Sequence, residues 1–304
     1  MAEIHTPIPS LKLNDGHFIP MLAYGTGTAW YKRSAGEIDR TLVNAIKSAI
    51  GLGYHHLDGA EVYNTEVELG LAIKESGVKR EDLYCVTKVM KNVDNIELAL
   101  DESLKKLQLE YVDLYLIHAP WFSHTESSAT SPFDESKLQS TWATMEKIKA
   151  SGKARSIGVS NYLPKHLEAV LKTAKIPPAI NQIEFHPYLQ HPELLAFHKK
   201  HSIATSAYGP LTAATKAKPG PADELLAALA KKYAVSEGEI CLRWCLDQDV
   251  VAITTSAKEQ RLADYLRCTK FKLTPEELRQ LNQLGAEKHF RGFWGSTFDA
   301  NDRT

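Results

Sequence analysis

The 304-residue chain is 43% hydrophobic and 24% charged, and its 36 basic against 37 acidic residues leave a formal net charge of -1. That balance implies no basic face, so no nucleic-acid partner is expected, and no apolar run approaches the length of a membrane span. The length suits one large barrel or two smaller domains.

Near the start, Leu11-Lys12-Leu13 and His17-Phe18-Ile19-Pro20 flank Asn14-Asp15-Gly16. This predicts a β-hairpin, set as a lid over a barrel floor. β-rich runs then recur at 21–24, 54–57, 83–87, 112–117, 156–159, 179–184, 203–207 and 250–253. They lie roughly 25–45 residues apart, as βα units require. The stretches between them carry helical spacing. Over 37–50, Ile38, Leu42, Ala45, Ile46 and Ala49 share one face, and Gly51 and Gly53 stop the helix. Over 95–107, Ile96, Leu100, Leu104 and Leu107 form the stripe, with Asp94 or Asn95 as cap. Pro164 opens a later helix. Thr274-Pro275-Glu276-Glu277 reads as a cap, a first-turn proline and two acids against the helix dipole.

Eight such units build either a closed (β/α)₈ barrel or a doubly wound open sheet. The open sheet favours a glycine-rich phosphate turn after the first strand. Gly25-Thr26-Gly27-Thr28-Ala29-Trp30 has the first two glycines and lacks the third, so it reads as a strand-end loop. The expected fold is therefore a (β/α)₈ TIM barrel spanning residues 1–304 as one domain. Two long loops, 121–134 and 212–221, fall on its C-terminal face, where substrate and cofactor loops belong.

Cys85, Cys241, Cys245 and Cys268 read as buried small side chains, although Cys241 and Cys245 share a helix face. This usage fits a reducing cytosol. The first residues show no basic-then-apolar signal pattern, and a cytoplasmic location is expected. Of twelve histidines, His198 and His201 come closest to a ligand spacing. Their neighbours Lys199 and Lys200 make a solvated helix end the better reading, and no metal site is expected.

Asp58, Lys88 and His118 close apolar strand-like runs, and Tyr63 lies in the loop just past Asp58. Ordinary strand ends finish in turn residues. If these strands are parallel neighbours, a carboxylate, a phenol, an ammonium and an imidazole meet at one rim and form a proton-delivery device. A buried lysine needs an anion, which Asp58 supplies. A neighbouring ammonium is expected to lower the phenol's pKa.

These residues lie in motifs that resemble the aldo-keto reductase superfamily over essentially the whole chain. The matching pieces are Gly53-Tyr54-His55-His56-Leu57-Asp58-Gly59-Ala60 with Tyr63-Asn64, Thr87-Lys88-Val89, Asp113-Leu114-Tyr115-Leu116-Ile117-His118, Gly158-Val159-Ser160-Asn161-Tyr162, Asn181-Gln182-Ile183-Glu184-Phe185-His186-Pro187 and Tyr208-Gly209-Pro210-Leu211. The resemblance implies a barrel that binds NADPH without a Rossmann domain, and Asp58, Tyr63, Lys88 and His118 as a catalytic tetrad. It implies cofactor contacts at Gly27, Thr28, Asp58, Ser160, Asn161, Gln182, Tyr208, Gly209, Leu211, Thr254, Thr255, Ser256 and Arg261. Taken without the resemblance, Ser160-Asn161 reads equally as a helix cap, and Gln182 with Glu184 as an interior polar layer.

The adenosine end departs from the family pattern. Many members carry Ile-Pro-Lys-Ser, then Arg five residues on, then Asn four further. Here the stretch is Ile253-Thr254-Thr255-Ser256, then Arg261, then Tyr265. Arg261 suits a 2′-phosphate. Thr255 removes a positive charge, and Tyr265 replaces the amide with a ring that could stack on adenine.

Trp30, Trp121, Phe122 and Trp294 are expected to wall the substrate pocket. Such a pocket favours flat cyclic ketones over polyhydroxy sugars. Within the superfamily the pattern is most similar to fungal conjugated polyketone and ketopantoyl lactone reductases, on residues 24–32 and on Thr254-Thr255-Ser256. This implies a small-molecule carbonyl substrate such as ketopantoyl lactone or isatin. No coiled-coil or exposed apolar stripe is evident, and a monomer or weak homodimer is expected. A general aldehyde or 2-oxo ester reductase, a cofactor-binding regulatory subunit on the same barrel, and an unrelated barrel hydrolase or metal enzyme are the alternatives.

Overall fold

In a computed structural model, which describes residues 8–121, 134–298 and 301–303, the chain opens with the expected hairpin. β1 (Ser10–Lys12) pairs antiparallel with β2 (Phe18–Pro20), Leu11 opposite Ile19. Gly16 closes the turn at φ +91°, a conformation that costs glycine nothing. Leu13 and Ile19 turn inward onto Tyr84, Val86, Leu114, Ile180 and Val251. The hairpin thus plugs the N-terminal mouth of the barrel, and Asn14 fastens it by donating to Pro178 O at 2.9 Å.

Eight parallel strands form a closed barrel. They are β3 (Leu22–Gly25), β4 (His56–Asp58), β5 (Tyr84–Val89), β6 (Val112–Ile117), β7 (Ala154–Ser160), β8 (Ile180–Glu184), β9 (Ala204–Tyr208) and β10 (Val250–Thr254). Each pairs with the next, and β10 closes on β3 with Ala252 opposite Leu22. Every strand expected from the sequence is present, shifted by a few residues at most. Gly25 ends β3 and residues 26–30 form a loop after it, with no helix until residue 40.

The helices among the described residues are α1 (Arg40–Gly51), α2 (Glu66–Ser76), α3 (Ile96–Leu107), α4 (Glu135–Ser151), α5 (Pro164–Leu171), α6 (Pro192–Lys200), α7 (Asp223–Tyr233), α8 (Glu237–Leu246), α9 (Glu259–Tyr265) and α10 (Pro275–Ala286). None is long and apolar enough to cross a membrane. α1 starts three residues later than its apolar spacing suggests. Asp39 caps it by accepting from Thr41 N and Leu42 N, which leaves Ile38 outside the helix and 48% exposed. Asn95, rather than Asp94, caps α3. Thr274 and Glu277 form a reciprocal capping box on α10.

Close packing explains two glycines. A Cβ on Gly70 of α2 would lie 2.3 Å from Leu107 O, and one on Gly285 of α10 would lie 2.1 Å from Pro187 O. All four cysteines are free and buried. His198 corrects the sequence reading. It is 1% exposed, and its ring bonds Asn181 at 3.0 Å and Thr205 Oγ1 at 2.9 Å. It is part of the interior, and the lysines beside it project the other way, into solvent.

Candidate active site

Parallel neighbours β4, β5 and β6 carry Asp58, Lys88 and His118 to one rim, and a single 3₁₀ turn, Glu61–Tyr63, adds the phenol. Lys88 is fully buried, and its ammonium is satisfied three ways. Nζ donates to Asp58 Oδ1 at 2.7 Å, to Gly59 O at 2.7 Å and to the Tyr63 hydroxyl at 3.4 Å. The second carboxylate oxygen of Asp58 accepts from Gln182 Nε2 at 2.9 Å. His118 Nε2 stands 3.5 Å from the Tyr63 hydroxyl. One phenol oxygen therefore faces an ammonium on one side and an imidazole on the other.

Burial governs the protonation states. It pulls the His118 pKa well below its ordinary value, and the Lys88 charge adds to this, so the imidazole is neutral. Its Nδ1 is buried without a partner among the described residues. The tautomer with the proton on Nε2 leaves only an acceptor unsatisfied there and aims an N–H at the rim. Burial also lowers the Lys88 pKa, against the pull of Asp58. The Tyr63 phenol departs from the sequence expectation. Burial, with the Asp58 charge behind it, pushes its pKa well above 10. The ammonium at 3.4 Å does not reverse this, and the phenol is a held proton rather than a phenolate.

The turn bearing Tyr63 is pinned from two sides. Buried Glu61 accepts from Met90 N at 3.0 Å, Lys91 N at 3.2 Å and the Asn92 amide. Asn64, at φ +55°, donates to Lys32 O at 2.8 Å. Asn64 stood in the quoted Tyr63-Asn64 motif without an assigned role; Glu61 was not singled out, although an acid two positions before Tyr63 in a loop was a usable signal. Gly27 lies under the Tyr63 ring, where a Cβ would come within 2.8 Å of Cζ. Thr28 beside it is exposed.

The residues expected at a nicotinamide form one connected set. Ser160 Oγ donates to Gln182 O at 2.8 Å, Asn161 Nδ2 donates to His118 O at 2.9 Å, and the Tyr208 hydroxyl donates to Asn161 Oδ1 at 2.6 Å. Tyr208 and Leu211 remain half-buried at the rim, and Gly209 turns the chain between them at φ +66°. A second group gathers after β10. Thr254 Oγ1 and Thr255 Oγ1 are buried without a hydrogen-bond partner among the described residues. Ser256 is engaged locally, its Oγ accepting from Lys258 N at 3.0 Å, and Arg261 is exposed. Tyr265 is buried in the core at 8% exposure and offers no open stacking face.

Orphaned hydroxyls, an exposed guanidinium and a half-buried tyrosine at the rim fit a phosphorylated dinucleotide.

Aromatic rings stand over the tetrad. Trp294 packs edge-on to His118 with centroids 6.3 Å apart and to Trp121 at 5.2 Å. Trp30 is anchored by its indole N–H to the Tyr24 hydroxyl at 2.9 Å. Phe122 lies outside the described residues.

Fold and site together define a barrel oxidoreductase. A family model described as "Aldo/keto reductase family" matches residues 22–286. The chain is 42% identical over 282 residues to the NAD/NADP-dependent indole-3-acetaldehyde reductase of Schizosaccharomyces pombe, spanning 91% of this chain and 96% of that protein. It is 37% identical over 300 residues to the NADPH-dependent alpha-keto amide reductase of Saccharomyces cerevisiae, spanning 94% of each. A solved Bombyx mori aldo-keto reductase in complex with NADP aligns with a TM-score of 0.80 at 37% identity, covering 92% of this chain and 93% of that one. The chain belongs to the aldo/keto reductase family, and it is an oxidoreductase that uses NADPH.

Proposed function

We propose that this protein reduces planar cyclic 1,2-dicarbonyl compounds, with Tyr63 as proton donor. The observation that carries the reading is the Tyr63 hydroxyl held 3.4 Å from Lys88 Nζ and 3.5 Å from His118 Nε2, beneath the Trp294–Trp121 pair.

NADPH supplies the hydride when bound, and Ser160, Asn161, Gln182 and Tyr208 are the residues that would hold its nicotinamide. Gly27, Thr28, Gly209, Leu211, Thr254, Thr255, Ser256 and Arg261 would hold the remainder, with Arg261 toward the 2′-phosphate. The carbonyl oxygen gains negative charge as the reaction proceeds. Neutral His118 donates a hydrogen bond from Nε2 to that oxygen and orients it. Tyr63 then transfers its proton there, general acid catalysis typically worth about 10²–10⁴-fold. The phenolate left behind faces the Lys88 ammonium, whose charge Asp58 sustains. A pKa raised by burial suits this order of events, because the proton stays on Tyr63 until charge develops next to it.

Substrate class rests on the aromatic wall. Trp294, Trp121 and Trp30 offer flat apolar surface, which favours fused rings over polyhydroxy sugars. One relative is named for an indole aldehyde and another for a 2-oxo amide. Isatin joins both features, being a 2-oxo amide fused to a benzene ring. Ketopantoyl lactone shares the vicinal dicarbonyl without the aromatic ring.

The test is to follow NADPH absorbance with isatin, ketopantoyl lactone, an aromatic aldehyde and xylose. The two cyclic dicarbonyls should turn over fastest and xylose least. Preference for the plain aldehyde would reassign the substrate class, and no turnover of any carbonyl would end the reductase reading.

A further inference from the structure

β8 carries two polar side chains two residues apart, which places both on the same face of the strand. Gln182 reaches sideways to Asp58. Glu184, at the strand's end, is 1% exposed and is turned toward the C-terminal tail. Its Oε1 accepts from Gly292 N at 2.7 Å and its Oε2 from Phe293 N at 3.2 Å. His186 Nε2 lies 3.2 Å from Oε1. Since Tyr188 N donates to His186 Nδ1, the ring proton sits on Nε2 and points at the glutamate. Three donors thus converge on one carboxylate, two of them from the tail backbone.

The tail beyond this anchor makes the substrate wall. Phe293 packs edge-on to Tyr208 with centroids 5.2 Å apart. Trp294, the next residue, sits at φ +58°. A bulky residue keeps such a conformation only where its surroundings over-determine it. On the C-terminal side Trp294 O accepts from Thr297 N and Phe298 N at 2.8 and 3.0 Å. On the N-terminal side Glu184 holds Gly292 and Phe293, with Phe290 N donating to Tyr188 O at 3.2 Å and Lys216 over the Phe293 ring as further restraints.

We propose that Glu184 is a positioning residue for substrate selection: it clamps Gly292 and Phe293 so that Trp294 is held over His118. This rests on the proposed role of Trp294 as a pocket wall. Glu184→Gln replaces one accepting oxygen by a donor and breaks one of the two tail bonds. Gly292→Ala attacks the same contact from the other side, since its methyl would lie 3.2 Å from Glu184 Oε1, and it leaves the barrel interior untouched. The reading is the ratio of kcat/KM for isatin to that for butane-2,3-dione, which is too small to need the wall.

Each variant should lower that ratio by about tenfold, the scale of a wall displaced by a fraction of an ångström. In a Trp294→Ala background, which should itself lower the ratio, Glu184→Gln should have no further effect. An unchanged ratio in both single variants, or losses that add in the Trp294→Ala background, would overturn the inference. If Glu184→Gln does not fold, Gly292→Ala alone and in the Trp294→Ala background decides. If Trp294→Ala leaves the ratio unmoved, the wall reading fails first, and the role of Glu184 fails with it.

Discussion

Gln182 Nε2 donates to Asp58 Oδ2 at 2.9 Å, joining β8 to β4 across the barrel interior. Lys88 holds the other carboxylate oxygen, so Asp58 is fixed from two strands and has little freedom to turn. Gln182 also abuts Ser160, through Ser160 Oγ donating to Gln182 O. The proposed nicotinamide residues and the proposed proton relay are therefore one hydrogen-bonded body.

That body makes Asp58 costly to alter. Asp58→Asn leaves the Lys88 ammonium buried without its anion. Breaking a buried pair from one side typically costs about 3–5 kcal/mol. The expected outcome is a stability loss of that order in urea unfolding, with kcat reduced as well. Gln182→Met removes a neutral donor and should cost less, about 1–3 kcal/mol. Equal stability of Asp58→Asn and the parent would show that the Lys88–Asp58 contact is not an ion pair in solution.

Tyr63→Phe keeps the ring over Gly27 and removes only the hydroxyl. Cofactor affinity, measured by quenching of protein fluorescence with NADPH, should stay within about threefold, while kcat falls by about 10²–10⁴. Retention of full kcat would exclude Tyr63 as the donor.

Buried imidazoles give the fold a defined acid sensitivity. Burial pushes His166 and His191 down to about 3 and His198 to about 4. The unfolded chain takes up protons at these rings from their ordinary 6.5 downward, whereas the folded chain does not until near the lowered values. Stability tied to them is present above 6.5 and lost as pH falls toward 4, by up to about 1.4 kcal/mol per unit for each ring. Urea midpoints should drop steeply between about pH 7 and 5. His198→Gln should flatten the slope by about one proton. A level profile over this range would contradict the buried, neutral state of these rings.

The barrel was legible because its strands are short apolar runs at even intervals, a local pattern that tertiary packing does not overrule. The tetrad was legible for a related reason. Lys88 and His118 end buried runs where turn residues are usual, and parallel pairing then brings them together. Ile38 was misread because apolar spacing continues past a capping Asp39, and a cap outweighs one more apolar contact. The direction of the Tyr63 pKa shift was misread because sequence shows the neighbouring charge but not the depth of burial. The Glu184–Gly292 contact joins residues 108 positions apart through backbone N–H groups, which leave no mark on residue type. His198 looked solvated because its lysine neighbours are; helical geometry turns it the other way.

Cofactor choice provides the last prediction. The end of β10 offers Thr254 and Thr255 hydroxyls without partners among the described residues, and the exposed guanidinium of Arg261 follows. With Thr255 in place of the lysine of the family pattern, Arg261 is the cation proposed for the 2′-phosphate, although Lys258 is exposed three residues before it. A hydrogen bond to a charged group is worth about 1.5–3 kcal/mol, or roughly tenfold or more in affinity. Arg261→Ala should therefore raise KM for NADPH by at least about tenfold and leave KM for NADH nearly unchanged, since NADH has no 2′-phosphate to lose. Thr255→Lys should act in the opposite sense, lowering KM for NADPH and steepening its rise with salt. The check is kcat/KM for both cofactors at two ionic strengths. Parallel losses with NADPH and NADH in Arg261→Ala would mean that Arg261 serves the shared part of the dinucleotide, and the 2′-phosphate assignment would then be wrong.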